Sequence, residues 1–121
     1  MIIIKIFLNY RKVFGNNIFP ISFFIRFPTV TATILRSNGG RGVLTVETGI
    51  DVADAALRTR AEQSAPRLRA AYNTVVQQIA SAMLPGAPPD VERMVSRLQA
   101  ITDSTLGRPG AHLLLGTVMV A

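Results

Sequence analysis

The sequence predicts an α+β domain: a small antiparallel or mixed three-stranded sheet, elements in the order β-β-α-α-α-β, with the helices packed on one face. Three observations predict it. Two β-rich runs between residues 29 and 50 flank a glycine-rich turn. Three stretches between residues 54 and 107 carry helix start and stop signals, and the chain closes on an apolar run without helical caps.

From Thr29 to Leu35, Val30, Ala32 and Ile34 alternate with threonines, the period-two pattern of a half-buried strand. Ser37-Asn38-Gly39-Gly40-Arg41-Gly42 supplies residues that tolerate positive φ, and Val43–Ile50 is again β-rich, so a hairpin joins the two. A glycine-rich loop can also cradle phosphate. Here no Lys-Ser or Lys-Thr follows, and the next element is a strand rather than a helix whose amino terminus would face the anion.

Asp54 is placed to cap a short helix over residues 55–63, since its carboxylate can accept from the free N–H groups of the first turn. Ser64 and Pro66 repeat the start signal. A longer helix follows, with Leu68, Tyr72, Val75, Val76, Ile79 and Met83 at three- and four-residue steps as far as about Leu84. Pro85-Gly86-Ala87-Pro88-Pro89 ends it. Asp90 opens a third helix with Val91, Met94, Val95, Leu98 and Ile101 on one face and Gly107 as its carboxyl cap. His112–Val120 is too apolar for an exposed edge and reads as a buried strand.

Composition breaks near residue 27. All six Phe and both Lys precede the break, while Ala is absent until after it. Residues 1–27 use residues of AT-rich codons and the remainder those of GC-rich codons, which predicts a segment of different origin, outside the core of a domain spanning 28–121. Its apolar runs, Ile2–Leu8 and Ile18–Ile25, are far short of the ~20 residues a spanning helix needs. Arg11-Lys12 lacks the second arginine of a twin-arginine signal, and no small-residue cleavage site follows. A basic, surface-lying segment with peripheral membrane contact is the expectation.

The length allows one domain that buries roughly 65% of its unfolded surface. The net charge of +6 divides into +4 for residues 1–27 and +2 for the rest, where nine Arg face seven acids and Tyr72 is the sole aromatic. Nucleic-acid binding needs clustered arginines interleaved with stacking aromatics, so it is not expected. With no cysteine, disulfides, thiolate metal sites and cysteine nucleophiles are excluded. His112 is the one histidine and stands at a strand end. No triad, metal cage or nucleotide fingerprint assembles, so no catalytic, cofactor or metal residue is assigned.

Thr45-Val46-Glu47-Thr48-Gly49-Ile50-Asp51-Val52-Ala53-Asp54 with Leu57, Ala65-Pro66-Arg67-Leu68-Arg69 and the closing Gly116-Thr117-Val118-Met119-Val120 together cover nearly all of the domain. On these residues it resembles the periplasmic domain of the FliL family of flagellar basal-body-associated proteins, and more closely the small exported FliL-like proteins of unassigned function. The resemblance implies a stomatin- or prohibitin-like domain, periplasmic or inner-membrane-associated, which in the flagellar family assembles into rings around the motor's stator proteins. It carries no catalytic residue. The expected function is therefore a non-enzymatic, envelope-associated interaction domain that binds itself or another protein through a helix face or a sheet edge. The competing expectation is a small-ligand or enzymatic pocket built from Glu47, Asp51 and Arg67 at the strand-to-helix junction.

Overall fold

Residues 2–5 and 24–121 are described by a computed structural model, the former as backbone only. Five strands form one antiparallel sheet: β1 (Ile2–Lys5), β2 (Phe24–Arg26), β3 (Val30–Leu35), β4 (Arg41–Val52) and β5 (Ala111–Val120). Three helices, α1 (Ala55–Gln63), α2 (Ala65–Ala82) and α3 (Val91–Leu106), lie between β4 and β5 in the chain. The α+β class and the order of the three expected strands and three helices are as the sequence predicts.

The sheet is wider than expected. β4 has β5 on one side and, end to end on the other, β2 (opposite residues 49–51) and β3 (opposite residues 41–46); β1 adds outside β5. Residues 1–27 are thus not all foreign to the domain. Ile25 packs against the core and Phe27 is only 6% exposed, its ring meeting Tyr72 edge-on at 5.2 Å. The structural boundary lies before the compositional one, because strand pairing and burial depend on where the chain returns, not on local residue usage. The rest of the expected membrane-contacting segment falls outside the described residues.

Even-numbered residues of β4 (Leu44, Val46, Ile50 and Val52) point into the core with Ala32 and Ile34 of β3. From the other side come Leu68, Tyr72, Val76, Met94 and Leu98 of the two longer helices. β5 cannot follow a strict alternation. Val46 faces Val118 but Thr48 faces Leu115, so Gly116 and Thr117 together oppose Glu47 in a bulge. The extra residue resets the phase and lets Leu113, Leu115 and Val118 all face inward.

Each turn and cap has a local cause. Gly39 donates to the Arg36 carbonyl at 3.0 Å and is left-handed (φ +85°), closing a three-residue hairpin loop, while Asn38 Oδ1 accepts from Gly40 N–H at 2.8 Å. Asp90 caps α3 by accepting from Arg93 N–H, and Gly107 (φ +81°) ends that helix in the left-handed conformation open to glycine. Tyr72 hydroxyl lies 2.5 Å from Thr102 Oγ1. Thr102 spends its proton on the Leu98 carbonyl, so Tyr72 is the donor, and burial pushes its phenol up to about 12.

Asp54 caps α1. Its Oδ2 accepts from Leu57 N–H at 2.8 Å and from the Arg108 guanidinium at 2.6 Å. The Leu57 N–H, with help from Arg108, holds the carboxyl below the ordinary value of 3.8. A depressed carboxylate stabilises the fold above its unfolded pKa and loses that contribution as pH falls through the folded value. The melting temperature is therefore expected to drop as pH is lowered through and below 3.8, and part of that drop should vanish in Asp54→Asn. Thermal unfolding by circular dichroism at stepped pH checks this; identical pH profiles for the two proteins would refute it.

Candidate functional surface

Among the described residues no helix covers the other face of the sheet, and its character changes along β4. Around Gly49 it is closed. The Phe24 ring lies where a Cβ on Gly49 would stand, Asp51 is 7% exposed, and Leu114, opposite Gly49, is 3% exposed. Toward the hairpin it is open. Thr31, Thr33 and Leu35 of β3 and Arg41 and Val43 of β4 are exposed, Leu35 at 53% and Val43 at 44%.

Glu47 stands between the two halves. Its carboxylate accepts from Thr117 N–H at 3.2 Å, within the bulge, and Arg26 approaches it at 3.9 Å. A Cβ at Gly116 would meet Glu47 Oε2 at 2.9 Å and Glu47 Cβ at 3.1 Å, so glycine is what lets this side chain fold over the bulge. The sequence alone offers Glu47 as a solvent-facing strand residue. In the structure it is half-buried and satisfies a backbone donor that the bulge takes out of the ladder.

The three residues of the competing pocket are not brought together. Glu47 and Asp51 share the face of the sheet opposite α2 and α3, four residues apart on β4, and Asp51 stands opposite His112 of β5. Arg67 belongs to the helical layer. Its guanidinium donates to Ser64 Oγ at 3.2 Å and to the Thr105 carbonyl at 3.4 Å, and Arg60 donates to the Leu106 carbonyl at 3.0 Å. Both arginines thus serve carbonyls that α3 leaves without intrahelical partners, at the end where its dipole is negative. Among the described residues no group of three potential metal ligands occurs, and no helix is long and apolar enough to cross a membrane.

Sequence reasoning missed the treatment of the sheet edges. In β3 the odd-numbered residues turn their backbone groups away from β4. Gln77 of α2 donates to the Thr31 carbonyl at 3.0 Å, and Gly86 N–H to the Leu35 carbonyl at 3.3 Å. On the opposite side, Gln99 of α3 occupies the stretch of β5 that β1 does not reach. Its amide donates to the Ala111 carbonyl and its carbonyl accepts from Leu113 N–H, both at 2.8 Å. Two helix glutamines therefore stopper edge groups that would otherwise template another strand. The only signal in the sequence is that both are amides, able to donate and accept, next to apolar helix positions.

The chain matches no protein-family model and no curated protein.

Proposed function

We propose that this protein is a non-enzymatic interaction domain of the cell envelope, FliL-like in kind, that associates with a second copy of itself through the open half of its sheet. The carrying observation is that exposed Leu35 and Val43 stand diagonally across β3 and β4 among threonines, on a face that no helix covers among the described residues, beside edge carbonyls that Gln77 and Gln99 engage. β-Branched and aliphatic side chains on a pleated surface pack well against their like. Where Gln77, Gly86 N–H and Gln99 engage them, the edges of β3 and of the start of β5 disfavour strand addition, which favours a face-to-face contact for this part of the sheet. Charge agrees with self-recognition. Arg41 is exposed on that face and the half-buried Glu47 stands at its border, so a two-fold arrangement can set Arg41 of each copy against Glu47 of the other. The FliL resemblance supports the envelope location and the tendency to assemble, with the flagellar motor as one setting.

Light scattering after size exclusion, across a range of protein concentrations, tests the reading. Mass is expected to rise with concentration, and Val43→Asp is expected to hold the protein at monomer mass with its melting temperature unchanged within a few degrees, as befits an exposed site. A strict monomer that also captures no envelope protein in cross-linking would overturn it.

A further inference from the structure

A notch of about 250 Å³ opens where the chain leaves β2 and re-enters the sheet as β3. Phe27, Pro28 and Val30 form its apolar wall, Arg69 and Asn73 of α2 stand over it, and Thr48 of β4 contributes to its lining. Thr48 is 3% exposed, and its Oγ1 is a buried hydroxyl with no hydrogen-bond partner. Its backbone is engaged, since the Thr48 carbonyl accepts from Phe27 N–H at 3.1 Å.

An orphaned buried hydroxyl is costly, and native folds keep few of them. The groups beside this one are of a kind. Arg69 forms no ion pair among the described residues. The Asn73 amide oxygen accepts from Gln77, and its NH₂ donates to no group among the described residues. Among the described residues no carboxylate lines the notch. It thus presents one cation, one amide donor and one unsatisfied hydroxyl beside an apolar wall.

We propose that the notch binds a carboxylate with a short apolar stem, the acid on Arg69, Asn73 and Thr48 and the stem against Phe27 and Val30. A guanidinium fork matches a carboxylate in geometry as well as charge. Inorganic phosphate is the poorer fit, because a single cation and an apolar wall serve its charge badly. The volume is below that of drug-sized sites and admits only a small group. Such a group can be a free acid or an acidic side chain of an extended peptide. The notch opens on the α2 side of the sheet and shares Thr31 with the open face, but Arg69, Asn73 and Thr48 lie outside the Leu35–Val43 surface, so variants at those three positions test this site separately from self-association.

Titration of the ¹⁵N-labelled protein with propionate, benzoate, a capped peptide carrying one glutamate among apolar residues, and phosphate tests the site. Saturable shifts at the Thr48, Arg69 and Asn73 amides are expected with carboxylates and not with phosphate. Tighter binding of the peptide assigns the site to an acidic side chain, and response to the free acids alone assigns it to a small metabolite. Arg69→Gln and Thr48→Val are each expected to weaken binding on the order of tenfold while leaving the light-scattering mass unchanged. Without ligand, Thr48→Val is expected to melt at the same temperature or higher, since an isosteric methyl removes an unsatisfied donor. No saturable shift, an equal response to phosphate, wild-type affinity in Arg69→Gln, or a lowered melting temperature in unliganded Thr48→Val would each overturn the proposal.

Discussion

Val118→Asp is expected to abolish the folded state. Val118 is fully buried near the end of β5, facing Val46 of β4 on one side and Ile4 of β1 on the other, with its side chain in the core beneath the helices. A carboxylate there would be buried without a partner, among the few changes that cost more than about 4 kcal/mol. A small domain holds only ~5–15 kcal/mol of net stability, so the loss consumes most or all of it. The amide spectrum should collapse to unfolded dispersion and the near-ultraviolet dichroism should vanish. Thr33→Asp, exposed on the outer face of β3, is the matched control and should shift stability by no more than about 0.5 kcal/mol. A folded Val118→Asp with an unchanged urea midpoint would mean that the terminal strand is not the centre of the sheet.

That dependence on the chain's last residues was legible in the sequence, because a continuous apolar run without caps has few other places to go. The helices were equally legible. Asp54, Asp90 and Gly107 announce their ends through groups that act within one turn, and the structure places α1 at Ala55–Gln63, the range the cap predicts. What escaped reading are interactions that join residues far apart in sequence. Gln77 reaches back to Thr31, Arg60 crosses to Leu106, and Glu47 answers a bulge at Gly116 and Thr117. None leaves a local pattern. A glycine inside an apolar strand did hint at the bulge, but its partner could be named only once the register was known. The notch was invisible for the same reason, since Thr48 reads as one more strand threonine until its hydroxyl is found buried and unpartnered.

Phe27→Ala is expected to cost about 3–5 kcal/mol, the range for emptying an aromatic side chain from a core. The residue falls on the wrong side of the compositional break, among the Phe, Ile and Lys of the first 27 positions, yet its ring is 6% exposed and packs edge-on against Tyr72 with the planes at 90°. That geometry adds about 0.5–1.5 kcal/mol to what its buried area contributes. Truncation would also leave the Tyr72 ring facing an emptied site beside the Thr48 notch. Phe24, three residues earlier, gives the contrast. Its ring is 43% exposed on the outer face over Gly49, so Phe24→Ala should cost much less. Urea unfolding of the two variants measures the difference directly. A large loss at residue 27 with a small one at residue 24 makes the strand before Pro28 part of the folding unit, whatever the history of its codons. Equal and negligible losses would restore the boundary to the place where composition puts it.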